Sequence, residues 1–223
     1  MKEYFNRQVK LWGEEAQDNL QNKHILIVGC GGLGSSLGIA LGASGIGKIT
    51  LIDFDRVSFS NIHRQIAFQL NDVDKKKCEV LKDLIQNRCP YVEVEAYFDS
   101  FEEFAKTSPE AKFDLILDAT DNLITRNHID LYAKQIKTPW IYGSVEEFHG
   151  QVCFFDTVTF ESIINIKERI PNGIACPIVM QIASFQANLA IRYLINLNVK
   201  KDFLYYLLYN NDGEFVVNKF KLE

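Results

Sequence analysis

The chain changes its hydrophobic period from block to block, and each block predicts one element. Residues 25–28 form a short unbroken apolar run, the pattern of a strand covered on both faces of a parallel sheet. Residues 33–44 follow as a helix of Gly, Ala, Ser and Leu, small enough to lie close to that sheet. A second apolar strand, 49–52, ends on Asp53. Val80, Leu81, Leu84 and Ile85 share one face of a helix over 74–88, and 91–97 alternates as a third strand. Residues 113–117 predict a fourth strand running into Asp118, Thr120, Asp121 and Asn122, with Asp121 closing it. A helix carrying Ile124, Ile129, Leu131 and Ile136 leads to a fifth strand at 140–144. Ahead of all these, Phe5, Val9, Leu11, Trp12, Ala16 and Leu20 space out an amphipathic arm over 3–20. It packs on its own domain or on a second copy.

Strand and helix alternate up to this point, which predicts a parallel sheet with right-handed crossovers. Beyond Gly150 the alternation stops. Residues 151–155 form a strand with no helix behind it, 157–175 are irregular, and 177–196 make a mostly apolar helix. Two closing strands, 203–209 and 214–220, flank Asn210-Asn211-Asp212-Gly213, a hairpin signal. The fold expected is α/β: a Rossmann-like three-layer fold with a mixed sheet, parallel in its first half and antiparallel in its second. One domain over 1–223 is expected, with a helical arm at 1–22, a nucleotide-binding half at 23–145 and a second half at 146–223.

Composition narrows the function classes. Hydrophobic residues make up 47% of the chain and charged residues 24%, as in a soluble globular protein. The net charge of −5 disfavours nucleic acid as a partner, since such binders present a basic face. The amino-terminal stretch is charged and lacks a signal peptide's apolar core, and no apolar run is long enough to span a membrane. Cys30, Cys78, Cys89, Cys153 and Cys176 are scattered with no Cys-x-x-Cys pair, which predicts reduced thiols, a cytoplasmic location and no zinc site. Cys176 opens an apolar helix, a setting that lowers a thiol pKa, but a buried small-residue role is favoured.

Gly29-Cys-Gly-Gly-Leu-Gly34 matches G-x-G-x-x-G between a strand and a helix. The first Gly permits a tight turn, the second lets backbone approach phosphate, and the third lets helix and strand pack closely. The helix start offers free N–H groups to an anion. Asp53 stands where such sites read a ribose hydroxyl; the alternative is a structural turn with a capping aspartate. Arg64 and Lys77 exceed what a dinucleotide needs and suit a triphosphate. Lys75 and Lys76 fit a solvated helix start, and Lys77 fits that or the site equally. Asp121 also has two equal readings, a ligand of Mg²⁺ against phosphates or the N-cap of the next helix.

Taken in order, Arg7-Gln8, Gly29-x-Gly31-Gly32-x-Gly34, Asp53-Phe-Asp55-x-Val57, Ser60-Asn61-x-x-Arg64-Gln65, Lys77 and Thr120-Asp121-Asn122-x-x-x-Arg126 span nearly the whole chain. This series resembles the ThiF/MoeB/HesA family, prokaryotic relatives of the ubiquitin-activating enzymes. The resemblance implies ATP-dependent adenylation of the C-terminal Gly-Gly carboxylate of a ubiquitin-like sulfur-carrier protein, of the thiamine or molybdopterin type. It implies that the turn of Gly29, Gly31, Gly32 and Gly34 faces the phosphates and that Asp53 binds the ribose. Asn61, Arg64 and Lys77 would hold the phosphates with Gln65 beside them, and Asp55 and Ser60 belong to the same strings. Asp121 corresponds to the catalytic, Mg²⁺-binding aspartate, and Asn122 lines the same site. Arg7 matches an arginine that reaches the other subunit's site in a homodimer, so Arg7, Arg64, Lys77 and Asp121 form the expected catalytic set. Residues 146–223 become the carrier-binding half.

The zinc cysteines of the thiocarboxylate-forming members are missing, which confines the expectation to adenylation. Other expectations are activation of a carboxylate on modified tRNA or a peptide, and a non-catalytic subunit that keeps the fold. An NAD-dependent oxidoreductase would leave Arg64, Lys77 and Asp121 without a task.

Overall fold

The computed structural model describes residues 3–164 and 172–223; residues 165–171, within the stretch expected to be irregular, lie outside the description. The helices are α1 (Asn6–Trp12), α2 (Glu14–Gln21), α3 (Gly32–Ala43), α4 (Lys77–Arg88), α5 (Phe101–Thr107), α6 (Leu123–Gln135), α7 (Phe160–Ile163) and α8 (Cys176–Leu194). The strands are β1 (His24–Val28), β2 (Lys48–Ile52), β3 (Glu93–Tyr97), β4 (Leu115–Asp118), β5 (Trp140–Glu146), β6 (His149–Phe155), β7 (Phe203–Tyr209) and β8 (Phe215–Lys221).

All eight strands join one sheet in the order β3-β2-β1-β4-β5-β6-β7-β8. Pairing is parallel from β3 through β5 and antiparallel from β5 to β8. The change has a simple cause. Only Glu147 and Phe148 separate β5 from β6, whereas a parallel crossover needs about a dozen residues or more. The expected mixed sheet is therefore present, with its division after β5.

β1 lies between β2 and β4, and every residue after His24 in it is buried. Its unbroken apolar run reflects helices on both faces. On one face α3, α4 and α8 close a core around Ile25, Ile27, Leu51, Leu117 and Phe154. On the other, α5, α6 and α7 close around Leu26, Val28, Ile116, Trp140 and Phe155.

The structure departs from the hydrophobic pattern in places with identifiable causes. The amino-terminal arm is two helices, because Gly13 takes φ 89° and ends α1. The arm packs on its own domain: Phe5 is buried against Tyr4 and Tyr91, and Gln8 and Gln17 both donate to Ser44 O. Its outer side leaves Arg7 and Leu11 exposed. α4 begins at Lys77 and not at 74, since Asp74 has φ 71° and Lys76 is extended. β4 stops at Asp118, so Asp121 lies beyond the strand it was expected to close. α5 carries few apolar residues to mark a period, and buries only Phe101 and Phe104. α7 falls within the stretch expected to be irregular.

Candidate active site

The sheet order reverses at β1 and β4. From β1 the chain moves outward through β2 and β3, and from β4 it moves the other way. Loops leaving adjacent carboxyl ends diverge at such a point and open a crevice. A cavity of about 810 Å³ occupies it.

The glycine turn forms one wall. Gly29 has φ 92°, and a Cβ there would lie 2.7 Å from Ala119 O. Gly29, Gly31 and Gly32 line the cavity. Gly34 does not: it is buried behind the turn, where a Cβ would sit 1.9 Å from Gly29 O. The fourth glycine thus serves the close helix–strand packing expected of the last motif position, and does not itself line the cavity. Gly31 precedes α3 without a side-chain cap, which leaves the helix's first N–H groups for a ligand.

Asp53 ties that turn to β2. Its Oδ2 accepts from Cys30 N at 2.6 Å and its Oδ1 from Asp55 N at 2.7 Å. Burial pushes its carboxyl pKa above the ordinary value, against the pull of these two N–H donors and of Lys77. Each oxygen keeps a lone pair, and the residue lines the cavity, so a hydroxyl donor can still be accepted.

The three lysines at 75–77 divide. Lys75 pairs with Asp72 and Lys76 with Glu79, both at the surface. Lys77 is 5% exposed and its Nζ lies 2.7 Å from Asp55 Oδ2 in the cavity wall. Arg64 lines the same wall, its Nη1 donating to Ser60 O at 3.2 Å and lying 2.9 Å from His63 Nε2. Asn61 O accepts the N–H groups of Arg64 and Gln65 at 3.1 and 3.0 Å. Asn61 and Ser60 therefore hold the backbone that presents Arg64, and neither lines the cavity itself. Gln65 is buried beside Gly31, and among the described residues its Oε1 has no donor. A buried acceptor of this kind is where a ligand's N–H or O–H would be satisfied.

Asn122, and not Asp121, caps α6. Its Oδ1 accepts from Ile124 N at 2.8 Å and Thr125 N at 3.3 Å. Asp121 is exposed to the cavity without that task.

Some residues of the site have no role in the sequence reading. Asp118 closes β4 fully buried, and Arg126, from α6, places its Nε 3.0 Å from Asp118 Oδ2. Burial works against the guanidinium's charge, and Asp118, Tyr142 and Asp121 outweigh it, so the Arg126 pKa is raised. A carboxylate ending an all-apolar strand was the available signal. The far wing of the cavity is lined by Tyr142, Ser144, Glu146, His149, Gln151 and Ile174. Tyr142 Oη donates to Gln151 Oε1 at 3.0 Å across the β5–β6 pair, a contact that only sheet pairing creates. Between these strands Glu147 holds φ 51°, with its N–H on Gly173 O and its carbonyl accepting from Ala175 N. The turn thereby clasps the segment that enters α8.

Arg7 lies exposed on α1, away from this cavity. Cys176 is the first residue of α8 and only partly buried, unlike the other four cysteines, so the buried role expected for it is corrected. Among the described residues no helix is long and apolar enough to cross a membrane.

The sequence model of the ThiF family matches residues 5–222. A molybdopterin-synthase adenylyltransferase of Haemophilus influenzae is 32% identical over 199 residues, which cover 84% of this chain and 82% of that protein. A sulfur carrier protein adenylyltransferase of Thermus thermophilus is 34% identical over 143 residues, 64% of this chain and 53% of the relative. Among solved structures, E. coli MccB with ATP superposes with a TM-score of 0.84, at 20% identity, over 99% of this chain and 72% of the other. PaaA does so with a TM-score of 0.84, at 21% identity, over 99% and 73%. At such identities the two structures speak to the fold.

Proposed function

Because this chain belongs to the ThiF family and is an adenylyltransferase, we propose that it uses ATP to activate the C-terminal Gly-Gly carboxylate of a ubiquitin-like sulfur-carrier protein. The observation that carries this reading is one cavity gathering the glycine turn, Arg64, Lys77 and Asp121, and extending under the β5–β6 turn. A triphosphate fits the first part and a narrow peptide tail the second. Beyond the wing, β7 and β8 expose Tyr209, Phe215 and Val217 on one face of the sheet, an apolar surface suited to a folded partner.

In the reaction a carboxylate oxygen attacks the α-phosphorus, forming an acyl–phosphate anhydride while the bond to pyrophosphate breaks. The nucleophile is already ionised at neutral pH, so no general base is required. Catalysis then rests on alignment and charge neutralisation. N–H groups at the start of α3 take phosphate oxygens, and Arg64 and Lys77 neutralise them. Asp55 holds Lys77 in the wall until a phosphate competes for it. Asp53 accepts a ribose hydroxyl. One carboxylate, Asp121, together with substrate phosphates is a donor set that Mg²⁺ accepts, and the ion would add charge neutralisation there. Arg7, turned outward on α1, serves the site of a second copy in a homodimer. A cytoplasmic location belongs with this reading.

The test is ATP–pyrophosphate exchange with Mg²⁺ and a Gly-Gly-ended carrier. Exchange that requires the carrier's free terminal carboxylate supports the reading. Exchange driven only by a peptide or by tRNA would reassign the acceptor, and no exchange with any carboxylate would sink the proposal.

A further inference from the structure

The turn that presents Asp121 is tied down on both sides while Asp121 itself is not. On its amino-terminal side, Asp118 Oδ1 accepts from Thr120 N at 2.9 Å and from Thr120 Oγ1 at 2.7 Å. Arg126 locks the same turn from α6: Nε donates to Asp118 Oδ2 at 3.0 Å and Nη2 to Thr120 O at 2.5 Å. The same Nη2 also donates to Gly143 O at 3.1 Å, joining the turn to β5. On its carboxyl-terminal side, Asn122 is held by capping α6. No side-chain hydrogen bond or ion pair holds the Asp121 carboxylate among the described residues. Apart from the pull of the Arg126 charge, its position is set by the turn that carries it.

We infer that Arg126 is a positioning residue: by clamping Asp118, Thr120 and Gly143 it sets where the Asp121 carboxylate stands for the cation that accompanies the nucleotide. This rests on the ATP reading above and names a further residue for the same site. A planar guanidinium can serve a carboxylate and two carbonyls at fixed angles at once, and a lysine ammonium in the same volume cannot reproduce that fork. A purely structural ion pair would steady the fold without favouring the metal step. Arg126 holds the turn that carries Asp121, and supporting partners of a metal ligand typically change metal affinity about 10–100-fold when removed.

The experiment measures ATP binding calorimetrically to wild type, Arg126→Lys and Thr120→Val, once with EDTA and once with Mg²⁺, alongside thermal melting. The quantity read is the factor by which Mg²⁺ tightens ATP binding. In Arg126→Lys that factor falls about 10-fold while binding in EDTA stays within about twofold of wild type. Thr120→Val removes one tie without burying an unpaired charge, and is expected to lower the factor by a smaller amount in the same direction. Should Arg126→Lys fail to fold, the double variant Asp118→Leu, Arg126→Met, which removes the buried pair as a unit, is measured in its place, and a Mg²⁺ factor equal to that of wild type there would overturn the positioning role. A lowered melting temperature with an unchanged Mg²⁺ factor would overturn the positioning role and leave a structural pair. Absence of ATP binding by wild type would instead overturn the reading of the site, before Arg126 is at issue.

Discussion

Asp118 and Arg126 form an ion pair at 3.0 Å with side chains 0% and 5% exposed, behind the wall of the cavity that Arg126 lines. Removing one partner leaves the other charged and dry. Asp118→Ala is therefore expected to cost about 3–5 kcal/mol of stability, as for other broken buried pairs. The double replacement Asp118→Leu, Arg126→Met should recover much of that loss in urea unfolding while leaving exchange activity low. A single variant as stable as wild type would show that the pair is not desolvated as described.

The lysine run offers a sharper contrast. Lys77→Met should lower pyrophosphate exchange on the order of 100-fold, the scale of one lost transition-state donor. Lys75→Ala and Lys76→Ala sever only surface pairs, and exchange should stay within about twofold of wild type. Equal losses at all three positions would mean that the run acts as a diffuse positive field, contrary to the burial of Lys77.

Gly34 tests packing behind the glycine turn. A methyl group would meet the Gly29 carbonyl oxygen at 1.9 Å, a backbone atom, with no flexible side chain to yield. Gly34→Ala should cost about 3 kcal/mol or more in urea unfolding, at the upper end of overpacking. On the proposed ATP reading nucleotide binding should fall with it, because the strained turn lines the cavity.

Arg7 and Asp121 give a test of assembly. Each single variant, Arg7→Ala and Asp121→Ala, should lose most exchange activity. If Arg7 serves the neighbouring copy, mixing the two inactive proteins restores activity, since one site per mixed dimer is intact. Mixtures that stay inactive after subunit exchange, verified by mass spectrometry, would place Arg7 outside catalysis.

His24 predicts an acid-side stability loss. Burial, and then the Lys48 charge, push its pKa below the ordinary value, and its Nε2 lies 2.9 Å from Thr50 Oγ1. The folded chain thus prefers neutral imidazole, while the unfolded chain takes up a proton near pH 6.5. The stability contributed is complete above about pH 6.5 and is lost as pH falls toward the folded-state pKa. His24→Gln should show a smaller drop in melting temperature between pH 7 and pH 5 than wild type. Parallel curves would mean His24 does not titrate differently on folding.

The hydrophobic period alone located all eight strands and most of the long helices to within a few residues. Most of those elements are buried on one or both faces, and burial writes itself into local composition; β8, almost wholly exposed, is marked by the hairpin signal ahead of it. Two helices escape the pattern: α5 hides only two phenylalanines, and the pattern starts α4 three residues early because Asp74 is polar in a turn as readily as in a helix. In the site, the spacing of Gly29, Gly31 and Gly32 and the carboxylate after β2 was legible because phosphate cradles are built from adjacent backbone. Spacing left Lys77 and Asp121 undecided. Geometry separated them from their neighbours, since Lys76 pairs at the surface and Asn122 takes the cap.

By itself the sequence determined the strand–turn–helix that makes one wall of the cavity, the parallel-then-antiparallel plan and the order of the polar strings, all of which depend on residues close in the chain. Tertiary structure decided which of those residues meet. Pairing β1 with β4 brings Asp118 and Asp121 beside the glycine turn, and pairing β5 with β6 adds Tyr142, His149 and Gln151 as a second wing. The clamp from Arg126 to Asp118, Thr120 and Gly143 belongs to this second class. Its partners lie up to 17 residues from Arg126 in sequence, and only docking of α6 on the sheet places one guanidinium within reach of all three.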